Sequence, residues 1–151
     1  MTRTMLLSAG LVLLVACGGA GNLAGAIDDA IDDSVFSLAV GTCFDDAGLE
    51  DEEIYSVDDL SCDTPHDNEV FALFDLTGSE FPGDLVLDLA SDGCVERFDA
   101  YVGIAYFESD LDVFPIYPTA ESWDAGDREV VCALYALDLS KLTGSMQGSR
   151  R

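Results

Sequence analysis

One stretch of sequence decides the fold: Arg128-Glu129-Val130-Val131-Cys132-Ala133-Leu134-Tyr135-Ala136-Leu137. Its apolar and β-branched side chains favour an extended strand, and a short run this apolar is typical of a strand buried inside a sheet. The sequence therefore predicts a central strand over residues 128–137, with Cys132 near its middle.

A helix is predicted upstream of this strand. It opens at Asp84, after the turn Phe81-Pro82-Gly83, and ends at Gly103. The residues predicted for one buried helix face recur every three or four positions, and they are Val86, Ala90, Cys94, Arg97 or Phe98, and Tyr101. This period places Cys94 on the inward face. A helix joined by a disulfide to a central strand fits an α+β fold.

Further elements complete the predicted domain. Residues 70–74 form a short apolar run that predicts a buried strand, and residues 111–117 predict another, which Pro115 restricts to a sheet edge. A short helical turn over residues 119–125 is closed by Gly126. The predicted fold class is α+β: a single small disulfide-stabilised domain with a short mixed or antiparallel sheet and one main helix.

Composition restricts the classes of function. The chain has 151 residues, with 30 Asp and Glu against 6 Lys and Arg, and its formal net charge is -24. Because 49% of the residues are hydrophobic, one domain with a proper core is expected. A field this negative repels phosphate backbones and anionic headgroups, which excludes nucleic acid and polybasic membrane docking as partners.

The N-terminus predicts an exported protein. A basic start at Arg3 precedes an apolar run of only about a dozen residues, whereas a membrane-spanning helix needs roughly 20. The run ends in Leu14-Val15-Ala16-Cys17-Gly18-Gly19, which resembles the lipobox of bacterial lipoproteins. In such proteins the Cys is acylated, for example with palmitate. The alternative is an ordinary cleaved signal in which Cys17 is incidental.

The predicted organisation follows from this resemblance. Residues 1–16 are a lipoprotein signal peptide, residues 17–34 are the lipidated Cys17 with a flexible acidic tether, and residues 35–151 are the folded domain. We expect the protein on the extracytoplasmic face of the cell membrane, attached through its lipid anchor.

Four cysteines remain for the folded domain: Cys43, Cys62, Cys94 and Cys132. In an oxidising compartment two disulfides are favoured, and sequence alone permits three connectivities. Sequential pairing would close loops of about 20 and 39 residues, each worth roughly 3–4 kcal/mol. The separations of 19, 32 and 38 residues contain no Cys-x2-Cys pair, so no metal site is predicted.

The single histidine lies in Cys62-Asp63-Thr64-Pro65-His66-Asp67-Asn68-Glu69. A Cys-His nucleophile needs a free thiolate, and Cys62 is expected to be oxidised, so no catalytic residue, no enzyme activity and no cofactor is predicted. We expect His66 to cap a turn or bond a backbone carbonyl, with pH sensing or partner contact as the alternatives. Glu69 is expected to orient its ring.

Residues 45–53 contain six acids in nine positions. A solvated surface loop is expected, and weak Ca²⁺ binding by this cluster stays open beside it. The alternating spacing of an EF-hand loop is absent from the sequence.

Several motifs together are similar to the septum formation family of actinobacterial envelope proteins. They are Val40-Gly41-Thr42-Cys43, Cys62-x-x-Pro65-His66-x-x-Glu69-Val70-Phe71, Cys94, Phe98-x-x-Tyr101-Val102-Gly103, Tyr117-Pro118-Thr119-x-Glu121-Ser122-Trp123-x-x-Gly126-Asp127-Arg128, Cys132 and Gly144-Ser145-Met146-x-Gly148. The resemblance covers residues 40–151. It implies an exported or membrane-attached domain associated with the division septum, with no established enzymatic activity.

The last of these motif positions carry structural expectations. Trp123 is expected in the core beneath a turn, or alternatively as a partner-contact hot spot. Arg128, which follows Asp127, is expected to pair with a local carboxylate.

The function expected is protein interaction at the cell envelope, linked to septum formation, with an envelope or division protein as partner. The alternative is a lipoprotein that binds cations or a small ligand.

Overall fold

The computed structural model describes residues 38–46 and 57–151. The predicted signal peptide, the predicted lipidation site Cys17, the predicted tether and residues 47–53 of the acidic cluster lie outside this part. Its helices and strands are β1 (Cys43–Phe44), β2 (Asn68–Asp75), α1 (Val86–Val102), β3 (Leu111–Ile116), α2 (Ala120–Asp124) and β4 (Glu129–Ala136). None of the helices described here is both long enough and apolar enough to cross a membrane.

The strands form one antiparallel sheet in the order β1-β2-β4-β3. β4 is central, as its apolar sequence predicts, and it pairs with β2 on one side and β3 on the other. β3 lies at the edge, where Pro115 is opposite Cys132. The α+β class, the small sheet and the single main helix are therefore confirmed.

β1 is the strand that the sequence analysis missed. It has only two residues, Cys43 and Phe44, which is too short for any periodicity to register. Its pairing with β2 is nevertheless important, because Cys43 lies opposite Glu69 and Phe44 lies opposite Asn68.

The main helix begins after a 3₁₀ turn at Gly83–Leu85 and ends at Gly103, whose φ of 84° is the left-handed conformation that glycine tolerates. Of the residues predicted for its inward face, Val86, Ala90, Cys94, Phe98 and Tyr101 are buried, whereas Arg97 is partly exposed. A disulfide joins Cys94 of this helix to Cys132 of β4, and a second joins Cys43 to Cys62. The chain thus uses the sequential pairing.

The two faces of the sheet are covered differently. The face against α1 carries the larger core, which includes Phe98, Trp123 and Leu134. The opposite face carries a smaller cluster around Phe44, Val70 and Val131. An irregularity in β2 between Val70 and Ala72 lets the consecutive residues Phe71 and Ala72 both contribute to the core beneath the helix.

Candidate functional site

Three buried polar side chains meet where β1 joins β2, namely His66, Asn68 and Glu69. Cys43 lies beside them, because its register partner in β2 is Glu69. The Cys43 sulfur, one His66 ring nitrogen and one Glu69 oxygen all lie within 4.8 Å of one another. We call Cys43, His66 and Glu69 together the β1–β2 centre.

The His66 ring is held by the backbone. Its Nδ1 lies 2.8 Å from the carbonyl oxygen of Thr64. Because a carbonyl only accepts, Nδ1 carries the proton and Nε2 of the neutral ring presents a lone pair. Nε2 is buried and has no hydrogen-bond partner among the described residues. Since His66 is fully buried, the partner-contact alternative is wrong for this side chain. Its neighbour Pro65 is exposed.

Glu69 does not orient His66, which corrects the sequence-based expectation. Its carboxylate accepts hydrogen bonds from Tyr101 Oη at 2.6 Å, Ser145 Oγ at 2.5 Å and the Met146 backbone N–H at 2.6 Å. These donors come from α1 and from the C-terminal tail, so they draw the carboxylate toward the helix. Burial, together with the bond to Glu69, raises the pKa of Tyr101 to about 12.

Glu69 therefore fastens the C-terminal tail to the domain. The tail also makes backbone hydrogen bonds from Gly148 N–H to the Tyr101 carbonyl and from Arg150 N–H to the Val102 carbonyl. The helical spacing predicts Tyr101 on the inward face but does not predict this role. A signal existed, because a buried tyrosine hydroxyl needs a partner and Glu69 directly precedes the apolar run at residues 70–74.

An ion-paired cluster lies on the surface beside this centre. Lys141 Nζ is 2.6 Å from Asp45 Oδ1 and 2.7 Å from Asp67 Oδ2. Burial raises the pKa of Asp67, but the hydrogen bonds from Lys141 and the Asp46 backbone hold it below its ordinary value of 3.8. Of the acidic cluster at 45–53, Asp45 and Asp46 are thus engaged with this protein's own donors, and the rest lies outside the described residues.

A half-open cavity of about 420 Å³ adjoins the ion-paired cluster. Carboxylate, amide and aromatic side chains are prominent in its lining, which is formed by Asp46, Asp67, Asn68, Phe114, Tyr135, Ala136, Leu139 and Ser140. Carboxylates beside aromatic faces are groups that attract organic cations.

The tryptophan motif forms a separate, self-contained turn. Trp123 is only 2% exposed, so it is a core side chain and not a hot spot on the described surface. Thr119 and Ser122 cap the helix α2 reciprocally. The Arg128 guanidinium stacks over the Trp123 indole at 3.7 Å from the ring centroid.

The expectation that Arg128 pairs with a local carboxylate is wrong for the described residues. Its Nη1 donates to the backbone carbonyls of Trp123 and Asp127. The physical reason is that stacking on the indole turns the guanidinium edge toward these carbonyls. The Asp127 carboxylate meanwhile accepts from Ser122 Oγ and the Glu129 backbone N–H.

The fold and site define a small α+β domain, stabilised by two disulfides, in which a buried carboxylate joins sheet, helix and C-terminal tail. The sequence model of the family described as "Septum formation" matches residues 7–132, so the chain belongs to this family. Membership connects the chain with septum formation and cell division. No curated protein and no solved structure matches the chain significantly.

Proposed function

We propose that this protein is a lipid-anchored, extracytoplasmic, non-enzymatic member of the septum formation family that acts by binding another protein at the cell envelope. The observation that carries the proposal is the surface that the domain presents. Acidic and exposed apolar side chains share one helix face, while most cationic side chains form ion pairs or cation–π contacts within the protein.

Among the five Lys and Arg residues in the described part, four have their charged groups engaged in ion pairs or cation–π contacts within the protein. Lys141 and Arg151 pair with aspartates, and Arg97 and Arg128 stack on aromatic rings. Cations held in this way are less able to contact a partner. The outward field is therefore negative, which favours a partner surface that is basic or bridged by cations.

The outer face of α1 combines this charge with apolar groups. Leu89 is 46% exposed, and Leu85, one turn before it, is 61% exposed. Asp88, Asp92 and Glu96 lie along the same side of the helix and are exposed. Such a face fits a partner that offers apolar side chains flanked by Lys or Arg.

Site-specific photocrosslinking in dividing cells tests the interaction. A photoreactive residue at position 85 should give a discrete crosslinked product, whereas one at position 137 should not. Leu137 is the matched control because it is also 61% exposed. Asp92→Lys should abolish the product from position 85. Equal crosslinking from both positions, or a product unaffected by Asp92→Lys, would contradict the proposed surface.

The anchor is tested separately. Cys17→Ser should move the protein from the membrane fraction to the soluble fraction, because stable attachment to a bilayer requires the acyl chains. A variant that still sediments with membranes would refute the lipid anchor while leaving the interaction face to its own test.

A second function, binding of a small organic cation, is favoured by the cavity beside Asp46 and Asp67. A thermal-shift panel of amines, with sodium at matched ionic strength as control, tests it. A shift that Asp46→Asn removes would support this function, and no shift with any amine would reject it.

A further inference from the structure

The β1–β2 centre has the ligand types of a zinc site. Cys43, His66 and Glu69 offer one sulfur, one imidazole nitrogen and one carboxylate oxygen, all buried and within 4.8 Å of one another. Thiolate, imidazole and carboxylate are the protein ligands that Zn²⁺ uses. Cysteine spacing could not reveal this set, because only one of its ligands is a cysteine and Cys43 is distant from the others in sequence.

The His66 ring leaves one nitrogen available to a metal ion. Its Nδ1 proton is directed to the Thr64 carbonyl, and its Nε2 lone pair is buried without a hydrogen-bond partner in the described part of the chain. A backbone carbonyl on the second ring nitrogen is the usual way in which proteins fix the tautomer of a metal-bound histidine.

The Glu69 carboxylate is also held in a fixed position by other groups of the protein. Its three hydrogen bonds, from Tyr101, Ser145 and Met146, hold the carboxylate in place. An ionised carboxylate accepts at about four positions, so one remains for a cation. Together with a Cys43 thiolate, Glu69 would supply two negative charges, which a buried divalent cation neutralises.

Cys43 is bonded to Cys62, so the thiolate ligand is absent while this disulfide is intact. We propose that reduction of the Cys43–Cys62 disulfide by a dithiol converts the β1–β2 centre into a zinc site formed by Cys43, His66 and Glu69. Three protein ligands leave the fourth tetrahedral position open.

Exposure favours this chemistry at one sulfur. Cys62 is partly exposed, whereas Cys43, Cys94 and Cys132 are fully buried. An attacking thiolate forms a bond to Cys62 Sγ, the Cys43–Cys62 bond breaks, and the electron pair goes to Cys43 Sγ. The second thiol of the reductant then attacks the mixed disulfide and releases Cys62, which takes up a proton, while Zn²⁺ binds the Cys43 thiolate.

The test compares Cys62→Ser with Cys43→Ser in the full-length chain, with Cys17→Ser in both samples. Each variant lacks the same disulfide, but only Cys62→Ser leaves a thiol in the centre. Cys62→Ser should bind one Zn²⁺ at least roughly 100-fold more tightly than Cys43→Ser. With Co²⁺ as the probe, only Cys62→Ser should show thiolate-to-metal charge-transfer absorption. Equal affinities, or no charge-transfer band, would overturn the proposal.

Two further measurements keep the result independent of folding. Adding His66→Asn, which retains a donor for the Thr64 carbonyl, should weaken zinc binding by Cys62→Ser by roughly 10–100-fold. In the otherwise unaltered protein reduced by a phosphine, Zn²⁺ should protect Cys43 from alkylation. Alkylation of Cys43 at the same rate with and without Zn²⁺ would overturn the proposal even if both serine variants fail to fold.

Discussion

The two disulfides hold different parts of the molecule. Cys94–Cys132 joins the middle of α1 to the middle of β4, and both of its ends are fully buried. Cys43–Cys62 joins the short edge strand β1 to the loop before β2, and Cys62 is partly exposed. The first bond therefore secures the packing of helix on sheet. The second lies where solvent reaches a sulfur, beside a buried polar centre.

The largest expected effect comes from removing each bond in turn. Cys94→Ala with Cys132→Ala should lower the free energy of unfolding by about 4 kcal/mol, because it opens the longer loop. Cys43→Ala with Cys62→Ala should cost about 3 kcal/mol. Urea denaturation measures both values. A larger loss from the edge bond would break the contrast between the two disulfides.

Close packing beneath α1 provides the next test. A Cβ at Gly93 would overlap the ring of Phe74. Gly93→Ala should therefore destabilise by about 1–3 kcal/mol, although alanine is the better helix former. Ser91→Ala, a partly exposed position in the same helix, is the control and should be neutral or stabilising. Thermal unfolding that shows both variants at or above the parent stability would mean that the helix-sheet contact is loose.

Tyr101 joins the two regions, because it extends from α1 to Glu69. Tyr101→Phe should cost about 1.5–3 kcal/mol, the usual value of a hydrogen bond to a charged group. Limited proteolysis should also cut the C-terminal tail faster, since the carboxylate that holds Met146 loses one of its fixed donors. An uncut tail would show that Glu69 does not need this hydroxyl.

Alkaline pH gives the same contact a second readout. The folded-state pKa of Tyr101 is raised from its ordinary 10.0 to about 12, so its stabilisation is complete below pH 10 and is lost as pH rises toward 12. Tyr106, bonded to Asp112, is raised to about 12 as well and remains in Tyr101→Phe. The variant should thus lose less stability than the parent between these values in chemical denaturation. An equal loss would refute the role of Tyr101.

The smallest effect is expected at the exposed ion-paired cluster beside β1. Lys141→Met should lower stability less than any change above, because exposed pairs contribute little and salt screens them. The lowered pKa of Asp67 stabilises the fold above its ordinary 3.8, and that stabilisation is lost as pH falls through the folded-state value. The parent should therefore lose more stability in acid than the variant. If the parent and Lys141→Met lose stability equally in acid, the ion pairs of Lys141 do not contribute to stability.

Much of the architecture could be predicted because it depends on local patterns. Short stretches of sequence contain each of these signals: the apolar run of β4, the spacing of three and four residues in α1, and the helix end at Gly103. Pro115 placed β3 at an edge because proline lacks an amide proton. The family motifs were also readable as sequence.

His66 and Glu69 were candidate residues, but the arrangement of the site could not be predicted, because its contacts join residues that are distant in the chain. Glu69 meets Ser145 and Met146 across 76 and 77 positions, and Cys43 reaches Glu69 only through the two-residue strand β1. Arg128 misled the sequence analysis for the same reason: whether a guanidinium meets a carboxylate or an indole depends on packing.

The sequence by itself determined the fold class, the central strand and most of the inward face of the helix, since periodicity and composition act locally. The tertiary structure alone decided which cysteines pair, which one remains partly exposed, and that a sulfur, an imidazole and a carboxylate share one buried centre. The physical reason is that such contacts depend on strand register and chain reversal, which no local pattern encodes.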